Sequence, residues 1–500
     1  MNKKLIALII IVMFLLTSFT VSANKIEISN NNLPDIYYKT KNKHFLFSKE
    51  IDFQELSTQP NEKSQFMPYL IKFDRQGNTI IGGAIEEVIV TGSGGVGFRT
   101  LNKKIIMKLD QQGNKIFKLV KEKSDYSYYL LSSINIDSQN NIIISTCGLK
   151  NQLSNKLDFF VSKYNSNGEF LWEEKYELKL SAPPTTAYML IDIDSKDNII
   201  FLVEANYFAL NGQYKYYRVL GKIDETGNLV NEKTIKDDAM LGEGLWYPYD
   251  IAIDADDNVV LGSIEYIDEK EKIYTLKYNS DLDSISGFPV YYESSDGKED
   301  YIMNLFIEVD KNNNLNDLII ACTFGTELDG SYSKYTKIIK FDCDGNFLWN
   351  LINNKNRFNE IAELSVDSES NIVTNGYNGD SFAILLGVMS TIKYSKNGDL
   401  KWEKTYPERD GYNLALESST NNIGIIGGII AATTNGVTSK IYLNSTIIKY
   451  DPDGNVLWIV EDIPVKVGKE KTKVFDLLKS DFFTKFLNKK LLSIFISKIL

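Results

Sequence analysis

The chain of 500 residues has one histidine, three cysteines and 10 prolines. The histidine, His44, precedes every repeat described below. Imidazole proton shuttling, a Ser–His pair and His-based metal ligation are therefore excluded from most of the chain. Cys147, Cys322 and Cys343 have no metal-ligand spacing and fall where no intramolecular bridge is expected, so sulfur does not hold the fold. Positive charge is short as well: 55 Lys and Arg against 66 Asp and Glu leave −11, the wrong sign for a nucleic-acid backbone. With 43% hydrophobic residues and so few prolines, disorder is excluded.

The first residues read MNKKLIALIIIVMFLLTSFTVSAN. Lys3 and Lys4, the apolar run Leu5 to Leu16 and the small residues Val21-Ser22-Ala23 form a secretory signal, expected to be cleaved after Ala23. It is too short for a resident membrane helix. A secreted or cell-surface location is the expectation.

What fills the rest is repetition. One phrase alternates apolar residues into an acid, followed four residues later by Asn. The acids are Asp74, Asp137, Asp194, Asp254, Asp310, Asp367 and Glu417; the asparagines are Asn78, Asn141, Asn198, Asn258, Asn314, Asn371 and Asn421. A second phrase, as in IIKYDPDGNVLW (Ile447 to Trp458), runs from a lysine through Asp, Asn or Ser to Gly and often to Leu-Trp. Its lysines are Lys108, Lys163, Lys222, Lys277, Lys340, Lys393 and Lys449, with a period of about 57 residues. Its glycines are Gly113, Gly168, Gly227, Gly345, Gly398 and Gly454, and the copy after Lys277 has none.

Each phrase predicts a hairpin. Period-two alternation makes the strands; the Asp side chain bonds its own turn amides, and Gly or Asn takes the positive φ. Two hairpins per repeat make a four-stranded antiparallel sheet. Seven such sheets bury their faces only by stacking radially, so the fold class is all-β, a seven-bladed β-propeller, with a short C-terminal helical tail. The expected domains are the signal 1–23, an N-terminal segment 24–65, the propeller 66–462 and the tail 463–500. The piece HFLFSKEI (His44 to Ile51) is a strand that caps or completes a blade. Trp172, Trp349, Trp402 and Trp458 read as inter-blade packing.

The pair KYDPDGNVLW and AIDADDNVVLGS resembles the SBBP repeat, a family of mainly secreted prokaryotic proteins named for seven-bladed β-propellers. The resemblance implies the fold and carries no shared catalytic motif.

Function is expected on the variable loops rather than on the turns. Those loops place Tyr126, Tyr129, Trp246, Tyr247, Tyr249, Tyr301 and Tyr412 beside Asp250, Asp300 and Asp410, a mixture suited to sugar faces, peptides or cationic groups. The alternative is that the rings pad the blades. DPDGN (Asp451 to Asn455) lacks the glycine and glutamate positions of a calcium loop, and GSGGVG (Gly92 to Gly97) lacks the Lys-Ser/Thr of a phosphate loop. No cofactor and no metal are expected. The lysines are expected to lay their stems on apolar surface, their amines meeting solvent or a carboxylate.

Three readings follow. The leading one is a non-catalytic binding or scaffold module with a glycan or protein ligand. The second is a carboxylate-based polysaccharide hydrolase or lyase, which needs only Asp and Glu. The third is a surface-layer or adhesion component attached to a membrane surface or cell envelope through the lysine-rich tail. Nucleic acid is not an expected partner.

Overall fold

The computed structural model describes residues 48–50 and 64–461, apart from residue 152 and the segments 91–95, 209–213, 241–249, 268–269, 294–299, 313–315, 329–330, 354–357, 380–387, 408–409 and 435–438. The expected signal peptide and helical tail lie outside the described residues.

Blade 1 is Ser64–Phe73, Thr79–Val90, Val96–Leu109 and Lys115–Glu122, antiparallel and in that order. Blade 2 is Tyr128–Ile136, Ile142–Leu149, Lys156–Tyr164 and Phe170–Lys179. Blade 3 is Pro184–Ile193, Ile199–Phe208, Tyr214–Ile223 and Leu229–Met240. Blade 4 is Asp250–Ile253, Val259–Ile267, Lys270–Tyr278 and Val290–Tyr292. Blade 5 is Asp300–Asp310, Asp317–Leu328, Ser331–Phe341 and Phe347–Asn353. Blade 6 is Phe358–Val366, Ile372–Gly379, Val388–Tyr394 and Leu400–Pro407. Blade 7 is Asp410–Leu416, Ile423–Thr434, Ser439–Tyr450 and Val456–Glu461.

The first strand of each blade touches the first strand of the next, and that of blade 7 touches that of blade 1. The seven therefore encircle an axis, and the protein is a seven-bladed propeller. Each joint buries its own apolar cluster; Ile80 and Ile134 meet between blades 1 and 2, and Phe66 and Ile426 meet between blades 1 and 7. Burial on both faces explains why the second strands, such as IIISTCGL, are buried end to end. Ser48–Glu50 adds to blade 7 as a fifth strand, parallel to Val456–Glu461. Blade 7 already has four strands of its own, so the ring closes by side-chain packing.

The turns are built as hairpin chemistry requires, with one difference from the expectation. The positive φ falls on the third residue after the acid, at Gly77, Asn140, Asp197, Asp257 and Ser370, not on the asparagine one place later. That asparagine instead donates its Nδ2 to the acid, as Asn141 does to Asp137 Oδ2 at 2.8 Å. In blade 7 the turn is one residue longer: Asn422 donates to Glu417 at 2.9 Å, and Asn421 takes the positive φ. Asn314 lies outside the described residues. Where the outer turn of blade 4 lacks glycine, Leu282 is held at φ 65°.

Six of the seven repeated lysines are buried joints, and Lys340 pairs with Asp317 and Asp310 of its own blade. Lys163 pairs with Asp137 of its own blade at 2.9 Å and donates to the Glu225 carbonyl of the next at 3.2 Å. Lys108, Lys222, Lys277 and Lys393 repeat this with the turn carbonyls of Ser166, Ser280, Cys343 and Pro452. Lys449 closes the circle on Gly77 of blade 1 at 3.2 Å. Trp402 Nε1 donates to the Pro452 carbonyl and Trp458 Nε1 to the Gln111 carbonyl, each across a joint. Trp402 also lies against Gly454, where an added Cβ would sit 3.1 Å from the indole.

Candidate functional site

The first strands carry their distinctive chemistry two and four residues before the turn acid. At the nearer place stand Lys72, Asn135, Asp192, Ala252, Glu308, Ser365 and Ala415; at the farther, Leu70, Ser133, Leu190, Asp250, Phe306, Glu363 and Asn413. A strand exposes alternate residues to one side, so both sets face the axial ends of the joints. Four carboxyls, one amine and two carboxamides gather there.

Hydrogen bonds run from blade to blade around this axis. Asn135 donates to Asp192 at 3.0 Å, whose other oxygen accepts from the Ile253 amide at 3.2 Å. Asp250 accepts from the Ile307 amide at 2.9 Å. Asn304 donates to the Ile361 carbonyl at 2.6 Å, and Asn413 donates to Glu363 at 2.5 Å. Asn413 accepts in turn from the Ile71 amide at 3.1 Å, and Tyr69 donates to the Leu131 carbonyl at 3.1 Å. The circuit crosses every joint once.

Burial dominates the electrostatics. It pushes Asp250 up to about 7, with the nearby Glu308 adding to the rise and Lys72 opposing it. It pushes Glu363 up to about 8, with Asp250 adding and Lys72 again opposing. Glu308 is raised by burial and by Asp192, against Lys311 and Lys72. Charges on blades 1, 3, 4, 5 and 6 thus feel one another, which a shared axial space accounts for. Lys72 makes no ion pair among the described residues. No three acidic, Cys or His groups among those residues are placed to hold a metal ion.

The residues singled out from the sequence are dispersed. Asp250 is axial. Tyr126 and Tyr129 were expected on the loop face, but they pack with Phe160 inside blade 2, 5% and 1% exposed. There the Tyr126 hydroxyl is partnered by Asp158 and the Tyr129 hydroxyl by Thr146, so ring and polar tip are both satisfied. Tyr412 packs against the cluster between blades 7 and 1. Tyr301, Asp300 and Asp410 lie on strands whose side chains there are not described, and Trp246, Tyr247 and Tyr249 lie outside the described residues. Sequence reasoning missed Lys72, Asp192, Glu308, Glu363 and Asn413. The available signal was polarity at one register position, compared across repeats whose neighbouring positions are aliphatic.

No protein-family model matches the chain, and no curated protein does. Solved structures with a similar fold include a mutant puromycin hydrolase, 7% identical with a TM-score of 0.43 over 85% of this chain. The chain spans 56% of that hydrolase's length. An α-L-arabinofuranosidase from Fusarium graminearum is 12% identical, TM-score 0.40, over 65% of this chain and 95% of that one. The β-propeller domain of the Trilobed protease from Pyrococcus furiosus is 7% identical, TM-score 0.37, over 76% and 92%. Likenesses at this level concern the fold alone.

Proposed function

We propose that the protein is an exported propeller of the SBBP-repeat kind, a binding module that takes an organic cationic group of a glycan or protein ligand at its axis. One observation carries this reading: Asp250, Glu308 and Glu363 share an axial space, each raised by burial and by another carboxyl, with Lys72 as the cation opposing all three. An ammonium group entering there would stabilise the ionised carboxyls and be held by them. A glucosamine oligomer is a suitable probe, because it offers amines on a sugar backbone. Titration calorimetry should detect binding that Asp250→Asn with Glu363→Gln abolishes. No binding, or binding indifferent to that pair, would reject the reading.

A polysaccharide hydrolase or lyase is the second reading. It is favoured by the Glu363 carboxyl, whose hold on its proton burial and Asp250 strengthen, as a general acid requires. Polysaccharide turnover lost in Glu363→Gln would replace the first reading with this one. Attachment to the cell envelope is proposed through residues 463–500. Deleting them should release the protein to the medium.

A further inference from the structure

The inner turn of blade 5 departs from its six counterparts. In those, an asparagine closes the turn and its side-chain amide donates to the acid. Asn78, Asn141, Asn198, Asn258, Asn371 and Asn422 do so at 2.8–2.9 Å. In blade 5 the residue paired with Asp310 is Asp317. A second carboxylate thus stands where the donor belongs, and six residues separate the pair instead of three or four.

The substitution leaves a charge unmet. Asp310 is 0% exposed and Asp317 is 7% exposed. Asp310 Oδ1 accepts from Ser370 of blade 6 at 3.0 Å and from the Asn312 side chain at 2.8 Å. Its Oδ2 accepts no hydrogen bond among the described residues. The amine nearest to Oδ2 is Lys340 at 3.6 Å, and that amine lies closer to Asp317, at 2.9 Å. In the other six blades one lysine serves one acid, at 2.8–3.0 Å. Two buried carboxylates against one amine leave a negative charge over, and a buried charge is costly until something meets it.

The second carboxylate also costs a joint. Lys108, Lys163, Lys222, Lys277 and Lys393 each donate to the carbonyl one place past the first residue of the next blade's outer turn. For Lys340 that carbonyl belongs to Lys396, and among the described residues no bond joins the two. The amine is held back between Asp310 and Asp317. The donors there are hard oxygens, two carboxylates converging on one nitrogen with the Asn312 carboxamide beside them, a set that suits calcium rather than a softer metal. Magnesium demands a near-ideal octahedron, whereas calcium accepts an irregular set completed by water. Room comes by exchange with the amine.

We infer that Asp310 and Asp317 form a calcium site at the joint of blades 5 and 6, where the ion displaces the Lys340 amine toward the Lys396 carbonyl. Bound calcium then completes the one joint at which the repeated lysine stays within its own blade. Two carboxylates and a carboxamide are a modest ligand set, so the expected dissociation constant is that of extracellular calcium modules, about 10⁻⁴–10⁻³ M. The probe is calcium chloride on the full chain, with magnesium chloride and EDTA as controls, followed by titration calorimetry and thermal unfolding.

Calcium should bind and raise the melting temperature, and magnesium at the same concentration should not. Asp317→Asn restores the residue of the other six turns, so it should fold as the parent does and bind calcium at least about tenfold more weakly. Lys340→Met should melt lower than the parent in EDTA and recover in calcium. Lys393→Met, whose turn holds a single carboxylate and its asparagine, should not recover. Absence of calcium binding by the parent chain would overturn the inference. So would undiminished binding in Asp317→Asn, or a Lys340→Met protein that calcium fails to rescue. Binding that disappears in Asp250→Asn with Glu363→Gln would assign the ion to the axis and overturn it as well.

Discussion

Asn413 donates its side-chain amide to Glu363 across the joint of blades 6 and 7, and its carbonyl receives the Ile71 amide of blade 1. One carboxamide thus spans three blades where the ring closes, beside a carboxyl whose hold on its proton burial strengthens. Charge state at the axis and closure of the ring are therefore connected.

The first prediction concerns pH. Asp250, Glu308 and Glu363 have raised values in the folded chain, so the native state holds their protons more tightly than the unfolded chain does. The stabilisation from Asp250 and Glu363 is complete below the ordinary carboxylate range and is lost as pH rises through about 7 to 8. Asp194, Asp367 and Glu417 act oppositely: despite burial, hydrogen bonds from Asn198, Asn371, Asn422 and their lysines hold them low. Their contribution is lost as pH falls below the ordinary carboxylate range. Calorimetry should find a melting maximum near mildly acidic pH. Asp250→Asn with Glu363→Gln should flatten the alkaline limb, and an unchanged limb would disprove the assignment.

Buried lysines should matter far more than exposed ones. Lys393→Met removes the partner of Asp367, 2.8 Å away and fully buried, and leaves the Pro452 carbonyl to Trp402 alone. A loss of about 3–5 kcal/mol in urea unfolding is expected, because a buried carboxylate is left uncompensated. Lys156 and Glu177 form a 2.7 Å pair with both side chains about half exposed. Lys156→Ala should leave the urea midpoint where it was.

Two turn glycines should respond differently to the same change. Gly454 has φ 80° and lies under Trp402, so alanine there meets both strain and the indole ring. Gly287 has φ 94° with open space around it, so alanine meets strain alone. Strain is worth about 1–2 kcal/mol. Gly454→Ala should exceed that and Gly287→Ala should not, as measured by denaturant unfolding.

Closure can be probed at Trp458, which packs between blades 7 and 1 and donates to the Gln111 carbonyl at 2.9 Å. Trp458→Ala should cost about 3–5 kcal/mol and expose the joint to protease. Of the described residues, a chain starting at Ser64 loses the three-residue strand Ser48–Glu50, and it should stay folded. Greater damage from the truncation than from the tryptophan would place closure in the added strand.

The scaffold was legible because its signals are local. Alternation, the turn acids and the lysine–glycine–tryptophan phrase each lie within a dozen residues, and together they specify strands, hairpins and period. The axial group is not local. Lys72 and Glu363 belong to blades 1 and 6, and only closure of the ring brings them into one electrostatic neighbourhood. Asp250 was noticed as a loop carboxylate, yet its role follows from company that no single repeat reveals. Tyr126 and Tyr129 misled for a related reason: an aromatic-rich stretch before a strand reads as an exposed loop until Phe160 and Asp158 are seen to receive it.

A circle fastened by contacts between blades 7 and 1, with the strand Ser48–Glu50 only added to a blade already complete, has no obligatory seam. Its breakpoint could be shifted by joining Glu461 to Ser64 through a short linker and opening the chain between two other blades. Such a permuted molecule would keep every joint and its ring of carboxyls, while rearranging only the order in which the ribosome delivers them.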